Sequence, residues 1–331
     1  METRLIDFTD CPMSNKHGLY GGAAGQKFGI VYYDEDWILK FPRKVGRAPY
    51  PLFPIETGFN VLSEYLGSHF YGYLGFPVPE TLLGTYEGKL VVVARDFCTS
   101  GGPLLSEFHK CANKPVDGEF YGNIGGMELK PVFLHDVLEV INRSDFLEPI
   151  KTDLRDRFWD MFIVDAMLGH TGRTCDNWGI LINSGKEEKN RLSLAPIYGN
   201  GCAMNYDLSE RAMSYYTEGT DDPDDSFIAE ETLHLKSAFL EKYGEDENGR
   251  VKGRYIYPFR FIMDRENPDC SRAVLRIADR IPEALVRIGE LIDSTESIAP
   301  RRKFFYKHSL RTRYEKGIVP AVNDMMEKGL K

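Results

Sequence analysis

Two short motifs constrain this chain more than any other part of its sequence. The first reads Asn-Trp-Gly-Ile-Leu at 177–181, and the second reads Ala-Pro-Ile-Tyr-Gly-Asn-Gly at 195–201. In phosphoryl-transfer sites of this pattern, one loop presents a catalytic Asp shortly before a metal-binding Asn, and a second loop brings a metal-binding Asp. The two acidic positions read Gly172 and Gly199 here. The motifs therefore predict the frame of a phosphotransferase site without two of its carboxylates.

The composition is that of a folded protein with an excess of acid. The chain has 331 residues, of which 42% are hydrophobic and 12% are aromatic, enough for two lobes with substantial cores. Its 50 Asp and Glu against 41 Lys and Arg give a net charge of -9. Direct nucleic-acid binding as the main activity is disfavoured, because it usually needs a basic surface.

The cysteines and the N-terminal sequence indicate an intracellular protein. The six cysteines are scattered, without the spacing of a zinc site or a disulfide framework, which predicts reduced thiols. Residues 1–10 lack the apolar core of a signal peptide, and no stretch reaches the length needed to span a bilayer. We expect a cytoplasmic protein with no membrane partner, while secretion as an effector stays open.

Two charged segments are interpreted as solvated surface. The acidic run at 221–225 predicts an exposed loop. The cations near the C-terminus predict a solvated helix face, with a local basic patch as the alternative. These cations are Arg301, Arg302, Lys303, Lys307, Arg311, Arg313 and Lys316.

A glycine-rich segment precedes the first clear β-hairpin. Residues 20–29 read Tyr-Gly-Gly-Ala-Ala-Gly-Gln-Lys-Phe-Gly, and β-forming runs at 30–33 and 37–41 flank an acidic turn. Glycine lets backbone amides approach phosphate oxygens and adopt positive φ. The segment is therefore a candidate phosphate-binding loop, although similar clusters also occur in ordinary tight turns.

A lysine and a glutamate follow in the order that a nucleotide site needs. Lys40 ends the second strand of the hairpin, and Glu64 lies on a helix predicted over 57–74 with Gly75 as its terminator. In phosphoryl-transfer enzymes, a Glu of this kind holds a phosphate-binding Lys in place as an ion pair. Either residue alone is more typical of the surface, so it is their order that favours the functional interpretation.

The remaining patterns indicate a second hairpin and then a mainly helical region. The hairpin is predicted at 81–86 and 89–94, and a hinge between lobes at 100–103. Apolar periodicity predicts helices at 133–142, 153–168, 271–281 and 282–294.

Together these motifs resemble the HipA-like serine/threonine kinase family, in particular its compact CtkA-type subgroup. The most specific blocks are Asn-Trp-Gly at 177–179 and Ala-Pro-Ile-Tyr at 195–198, and further blocks lie at 20–25, 39–42, 63–65, 95–97 and 157–160. The resemblance implies an α+β, two-lobed protein-kinase-like fold. A small β-rich lobe would cover 1–98, and a larger helical lobe would cover 99–331.

The resemblance also implies roles for individual residues. Mg²⁺ would bind at Asn177 and at the position of Gly199. The catalytic base would stand at the position of Gly172, followed by Arg173. Adenine would lie between the lobes, against Ile30, Ile38 and the strand near 93–97. The residues expected to bind ATP are Gly21, Gly22, Ala23, Ala24, Gly25, Lys27, Lys40, Glu64, Asp96 and Phe97.

The chain departs from the family pattern at two acids. The family loop usually reads Asn-x-Asp-Arg where this chain has His-Thr-Gly-Arg at 170–173, and it usually has Asp where this chain has Gly199. Mg²⁺ prefers carboxylate oxygen, whereas glycine offers only its backbone. Loss of a positioned general base costs roughly two to four orders of magnitude in rate. We therefore expect Mg²⁺ binding to be weakened or lost and kinase activity to be absent.

Neighbouring residues offer alternatives to this interpretation. Asp176 or His170 could replace the missing base, but their neighbours are expected to occupy the inward directions, and a structural role for His170 is favoured. Cys175 and Cys202 are interpreted as small packing residues. Trp178 is expected to anchor its loop in the core of the larger lobe rather than to stack on a base.

Two functions from different classes follow. The first is a serine/threonine protein kinase that binds ATP and phosphorylates a protein, or itself, when Asp stands at 172 and 199, and that could have an antitoxin partner. The second is a natural pseudokinase that binds nucleotide or scaffolds partners and transfers nothing. Transfer of another part of ATP by a rearranged site is a third possibility, because a fold does not fix a function.

Overall fold

The computed structural model describes residues 5–16, 26–45, 57–112, 132–187, 190–217, 232–247 and 249–329. Residues 20–25 of the predicted phosphate-binding loop and the acidic run at 221–225 lie outside the described residues. Among the described helices, none is both long enough and apolar enough to cross a bilayer.

A five-stranded sheet forms the first part of the chain. Strand β1 (Ile6–Asp7) is followed by β2 (Lys27–Tyr32) and β3 (Glu35–Lys40), which form the first hairpin, and by β4 (Thr81–Tyr86) and β5 (Lys89–Arg95), which form the second. The strand order is β1-β4-β5-β3-β2. Pairing is antiparallel except between β1 and β4, which are parallel. Both predicted hairpins are confirmed.

Helix α1 (Asn60–Tyr73) packs on one face of this sheet. It begins at residue 60 rather than at the predicted 57, and Gly75 follows it at φ +84, as expected of a terminator. Most of its circumference is buried, because it contacts β4 and β5 on one side and a C-terminal helix on the other. Both the N-terminal sheet and the helical part of the chain therefore stabilise α1.

The two faces of the sheet have different neighbours, because successive side chains of a strand point to opposite sides. Lys27 is paired with Lys40 across β2 and β3, so these two side chains share one face. Ile30 is paired with Trp37 on the opposite face, in a separate core that contains Phe8. The expectation that Ile30 lines an adenine site beside Lys40 is therefore wrong.

The second part of the chain contains two small sheets. β6 (Leu104–Glu107), β8 (Gly179–Ile182) and β9 (Leu192–Leu194) form one, in the order β6-β8-β9. β7 (Val132–Phe133), β10 (Phe239–Glu245) and β11 (Val251–Tyr255) form the other, in the order β11-β10-β7. Strand β8 of the first sheet begins at Gly179, the last residue of the Asn-Trp-Gly motif.

Helices make up most of the second part. The long helix Lys151–Leu168 continues directly from a 3₁₀ turn (Asp145–Ile150). The helices are α2 (Phe108–Ala112), α3 (Leu134–Arg143), α4 (Lys151–Leu168), α5 (Glu210–Thr217), α6 (Pro258–Asp264), α7 (Pro268–Ala278) and α8 (Ile281–Ser294). The four predicted helices at 133–142, 153–168, 271–281 and 282–294 correspond to α3, α4, α7 and α8.

Gly169 ends α4 and opens the first site loop. It has φ +64, and its N–H donates to the carbonyl of Ala166 at 3.2 Å. A Cβ at this position would lie 2.5 Å from Nη2 of Arg313. Glycine is therefore needed here both for the left-handed backbone and for the close approach of a buried side chain.

The last helical region contains buried charge. It consists of α9 (Pro300–Thr312), a π-helical turn (Arg313–Ile318) and α10 (Val319–Glu327). The prediction of a solvated basic face is wrong for two of its cations, because Arg302 is 0% exposed and Arg313 is 1% exposed. Both side chains hydrogen-bond to other parts of the second lobe.

The described residues confirm the predicted fold class. A sheet and one helix form a small β-rich lobe, and the larger lobe is mainly helical. The chain passes between them after β5, since β6 already pairs with β8 of the larger lobe. The exact boundary at 98 stays a prediction.

Candidate active site

Lys40 and Glu64 form an ion pair that reaches the second site loop. Nζ of Lys40 lies 2.7 Å from Oε1 of Glu64, and the same oxygen accepts a hydrogen bond from the Gly199 N–H at 3.2 Å. Burial works to raise the pKa of Glu64, but the charge of Lys40 and these hydrogen bonds hold it below its ordinary value. Glu64 thus stays ionised and joins the N-terminal sheet to the loop that follows Tyr198.

Lys27 adds a second ammonium group beside Lys40. The two residues are cross-strand partners on the same face of the sheet. Burial and the neighbouring charge of Lys40 lower the pKa of Lys27, against the opposite effect of Glu64 and Glu107. Because Glu64 is already bonded to Lys40, this face is suited to an anionic ligand such as a polyphosphate.

The first site loop brings Asn177 next to Gly199. Nδ2 of Asn177 donates to the carbonyl of Gly172 at 2.7 Å, which fixes the orientation of its amide. A Cβ built on Gly199 would lie 3.1 Å from Oδ1 of Asn177. The structure therefore places side by side the two positions that the sequence assigns to metal ligands.

The two glycines differ in how an Asp would fit. Gly199 has φ +75, a left-handed conformation that Asp and Asn enter more readily than most residues. A Cβ on Gly172 would lie 2.7 Å from Cβ and 2.8 Å from Sγ of Cys202. An Asp at 172 therefore requires Cys202 to move, whereas an Asp at 199 requires a smaller adjustment of Asn177.

His170 is a structural residue of the first loop. Its Nδ1 accepts a hydrogen bond from the Gly172 N–H at 3.2 Å, so its Nε2 carries the proton and donates to the carbonyl of Gly199 at 3.0 Å. Burial and the nearby charge of Arg173 lower the pKa of His170 to about 4. Both ring nitrogens are occupied by backbone groups, which supports the structural role that the sequence favours.

Arg173 connects both site loops to α4. It forms a bidentate ion pair with Asp165, at 2.8 and 2.9 Å. It also donates to the carbonyls of Asn177 and Tyr198, at 3.0 and 2.6 Å, and to Oδ1 of Asn200 at 2.7 Å. These bonds use all five N–H donors of the guanidinium. The structure thus gives Arg173 a positioning role rather than contact with a reacting group.

Asp176 lies against α2. Its Oδ1 is 2.6 Å from Nδ1 of His109, and burial raises its pKa while the His109 charge opposes this. The hydroxyl of Tyr198 donates to the carbonyl of Asp176 at 3.5 Å. The His109 contact occupies one oxygen of the Asp176 carboxylate, which is the group that could replace the missing base.

Asp96 and Phe97 lie at the end of β5 and contact two other segments. Oδ2 of Asp96 is 2.8 Å from Nζ of Lys16, which also donates to the carbonyl of Cys98. The ring of Phe97 has its centroid 5.9 Å from that of Tyr198. The Phe97–Tyr198 contact joins the two lobes at this point, while the ATP-binding role of Asp96 and Phe97 stays a prediction.

Trp178 and Cys175 have the packing roles that the sequence predicts, whereas Cys202 is only half-buried, beside Gly172. The indole of Trp178 is stacked on Phe108 with ring centroids 4.1 Å apart, and it is 2% exposed. Cys175 is fully buried, and all six cysteines are free thiols. Trp178 is therefore a core anchor of the first site loop.

Asn200, to which the sequence assigns no role, attaches the second loop to α1. It is fully buried, and its Nδ2 donates to Oγ of Ser68 at 3.1 Å. A Cβ on Gly67 would lie 2.7 Å from Cβ of Asn200, so the loop and the helix touch closely. Asparagine between glycines is also typical of ordinary turns, so only the packing distinguishes this residue.

The donors around the two loops do not fit a magnesium ion. Asn177 offers one amide oxygen, and Gly172 and Gly199 offer no side chain. In the part of the chain that the structure describes, no three His, Cys, Asp or Glu side chains come together as a set of metal ligands. Mg²⁺ prefers near-octahedral oxygen coordination that includes carboxylate.

Comparison with solved structures agrees with this architecture. The crystal structure of the Helicobacter pylori proinflammatory kinase CtkA matches with a TM-score of 0.75 and 29% identity, covering 98% of this chain and 99% of that one. A HipA from Shewanella oneidensis MR-1, solved with HipB and operator DNA, matches with a TM-score of 0.51 and 14% identity, covering 95% of this chain and 67% of that one. The HipA likeness shows the fold alone.

Sequence comparison identifies the family. No family model matches the chain. The serine/threonine-protein kinase CtkA of Helicobacter pylori strain J99 is 32% identical over 327 residues, which cover 98% of this chain and 90% of that protein. The chain belongs to the family of the serine/threonine-protein kinase CtkA.

Proposed function

We propose that this chain binds ATP as a HipA-like kinase does and that Gly172 and Gly199 disable phosphoryl transfer. The observation that carries the proposal is the contact of Lys40, Glu64 and the Gly199 backbone. This contact assembles the phosphate-binding half of the site. The proposed transfer half has Asn177 bonded to the carbonyl of Gly172 and lacks both carboxylates.

Each remaining residue has a role that follows from its contacts. Lys40 and Lys27 neutralise phosphate charge, and Glu64 holds Lys40 in place. Asn177 keeps the first loop closed through its bond to the carbonyl of Gly172. When bound in an active relative, Mg²⁺ neutralises charge on the transferred phosphoryl group. We propose that Mg²⁺ binding is weakened or lost here, because Asn177 is the single side-chain ligand left at the two motifs.

The substrate and partners of an active form are also proposals. CtkA is named a serine/threonine-protein kinase, which supports a protein, or the chain itself, as the phosphate acceptor when Asp stands at 172 and 199. The HipA of similar fold was solved with HipB as a toxin–antitoxin system, which supports an antitoxin-type partner. The second candidate function, a natural pseudokinase that binds nucleotide or scaffolds partners, is favoured by the intact Lys40–Glu64 pair beside the glycines.

Restoring the acids tests the proposal. Four proteins are compared for autophosphorylation and for phosphorylation of a generic protein substrate with labelled ATP: the chain itself, Gly199→Asp, Gly172→Asp/Gly199→Asp, and the double variant with Cys202→Gly. The last variant removes the Cβ and Sγ atoms that an Asp at 172 would meet at 2.7 and 2.8 Å.

We expect no transfer from the chain itself or from Gly199→Asp, and transfer from a variant that has both acids. The gain should be largest when Cys202 is also replaced. Transfer by the unmodified chain would contradict the proposal, and so would silence of both doubly acidic variants when each is folded and binds ATP.

A further inference from the structure

Three buried arginines hold a segment that begins within the second motif. Among the described residues, the largest fully buried side chains after Trp159 are those of Arg173, Arg302 and Arg313. All three donate hydrogen bonds to residues 198–210, which we call the site segment. Their acceptors there are the carbonyl of Tyr198, Oδ1 of Asn200, Oδ1 of Asn205, the carbonyl of Leu208 and Oε1 of Glu210.

Arg302 joins the end of the site segment to the start of α1. Its Nε donates to Oε1 of Glu210 at 2.6 Å, and its Nη2 donates to the carbonyl of Leu208 at 2.8 Å. Its guanidinium carbon lies 3.3 Å from the ring centroid of Phe59, the residue that precedes α1. A planar guanidinium is suited to this combination, because it stacks on an aromatic ring while its edge donates hydrogen bonds.

A second route leads from Arg302 toward Glu64. Nη1 of Arg302 donates to the hydroxyl of Tyr306 at 3.3 Å, and the Ser63 side chain lies beside this hydroxyl. Oγ of Ser63 in turn donates to the carbonyl of Ala203, within the site segment, at 2.7 Å. Ser63 immediately precedes Glu64, so these bonds fix the turn of α1 that carries the partner of Lys40.

Arg313 connects the middle of the site segment to the end of α4. Its three nitrogens donate to the carbonyls of Thr232 and Met167 and to Oδ1 of Asn205, at 3.1, 3.3 and 3.3 Å. These acceptors are neutral, and burial lowers the pKa of Arg313 to about 10. Burying a charge among neutral acceptors is costly. Here it orders the end of α4 and the site segment at once.

In many protein kinases the equivalent assembly depends on modification. The Lys–Glu pair and the metal-binding loop come into place when the activation segment is phosphorylated and its phosphate pairs with arginine. In this chain, arginines from the last helical region meet permanent acceptors on the site segment instead. We propose that Arg302 is a positioning residue that keeps Lys40 and Glu64 paired without any modification of the site segment, while Arg313 holds the site segment against the end of α4.

This inference rests on the proposed function, because the pair that it stabilises is the proposed phosphate-binding pair. Its test therefore uses a readout that needs no nucleotide. The rate of acetylation of the Lys40 amine by acetic anhydride is followed by mass spectrometry, since an ammonium group bonded to Glu64 reacts slowly. The proteins are the chain itself, Arg302→Met, Arg302→Lys and Glu210→Gln, with Arg311→Met as the matched control on an exposed part of the same helix.

We expect Lys40 to react about tenfold faster in Arg302→Met, the change that corresponds to losing one charge-assisted hydrogen bond. Arg302→Lys should increase the rate less than Arg302→Met, because lysine keeps the positive charge but lacks the planar set of donors. Glu210→Gln should give the smallest increase of the three variants. Arg311→Met and phosphatase treatment of the chain itself should leave the rate unchanged. Glu210 is 41% exposed, so its variant is informative even if Arg302→Met fails to fold.

Equal Lys40 rates in Glu210→Gln, Arg302→Met and the control would overturn the inference, and so would a rise after phosphatase treatment. The ATP affinity of each folded variant, measured by calorimetry, provides the second readout. We expect it to fall in the order in which the Lys40 rate rises. If the unmodified chain binds no ATP, the proposed function is wrong, and the Lys40 rates still decide whether Arg302 holds the pair.

Discussion

Replacing Arg173 with Met should remove a large share of the stability of this fold. In Arg173→Met, the carboxylate of Asp165, 6% exposed, loses its bidentate partner and keeps a hydrogen bond from Tyr71 at 2.7 Å. The carbonyls of Asn177 and Tyr198 also lose a donor. Breaking a buried ion pair on one side costs about 3–5 kcal/mol, out of a typical total of about 5–15 kcal/mol.

A second substitution, at Asp165, distinguishes the loss of an ion pair from a simple loss of packing, because the two causes predict opposite changes in the free energy of unfolding. Most of the expected cost comes from leaving Asp165 charged and buried without its partner. Arg173→Met/Asp165→Leu removes that charge, so the double variant should be more stable than Arg173→Met alone, although less stable than the unmodified chain. Burial works to raise the pKa of Asp165, but the charge of Arg173 and the hydrogen bonds from Arg173 and Tyr71 together hold it below its ordinary value.

Urea denaturation followed by circular dichroism measures these differences. Arg260→Met is the control, since the Arg260 side chain is 82% exposed and its loss should change the free energy of unfolding by no more than about 0.5 kcal/mol. The reasoning is refuted if Arg173→Met costs no more than this control. It is also refuted if the double variant is less stable than the single one.

Two further predictions concern the packing and titration of the same region. Gly67→Ala should lower the free energy of unfolding by about 1–3 kcal/mol, because the added methyl group would meet Asn200. Gly72→Ala on the same helix should be neutral or stabilising by up to about 1 kcal/mol. Urea denaturation that shows both variants destabilised, or both stabilised, would contradict this prediction. The pKa of His170 is about 4 in the folded chain, against an ordinary value of 6.5. Between these two pH values the unfolded state binds more protons than the folded state. The free energy of unfolding should therefore fall as the pH falls from 6.5 to 4, by up to about 3 kcal/mol. His170→Gln should lack this component, and an unchanged pH dependence in urea denaturation would contradict the assignment.

Sequence patterns predicted the elements whose signals are local. Both N-terminal hairpins, the long helix that ends at Gly169 and the order of Lys40 before Glu64 follow from turn chemistry, periodicity and spacing, and the structure brings Lys40 and Glu64 together at 2.7 Å. The placement of Ile30 was wrong for a local reason as well. Its position on the strand, three residues from Lys27, puts it on the opposite face.

The contacts that hold the site together come from distant parts of the chain. A charge pattern alone indicates solvent, so the burial of Arg302 and Arg313 could not be predicted from the basic C-terminal region. Their partners, such as Leu208 and Asn205, are about a hundred residues away. Such contacts become visible only when the helices are packed, and the same holds for the five hydrogen bonds of Arg173.

An ATP titration by calorimetry, in a chelator and then in excess Mg²⁺, tests the central claim most directly. The claim is that the Lys40 half of the site binds the nucleotide while the metal-binding half is missing. We expect ATP to bind in the chelator, Mg²⁺ to change its affinity by less than about threefold (roughly 0.7 kcal/mol), and Lys40→Ala to abolish binding. Binding that requires Mg²⁺, or that survives Lys40→Ala unchanged, would contradict the account.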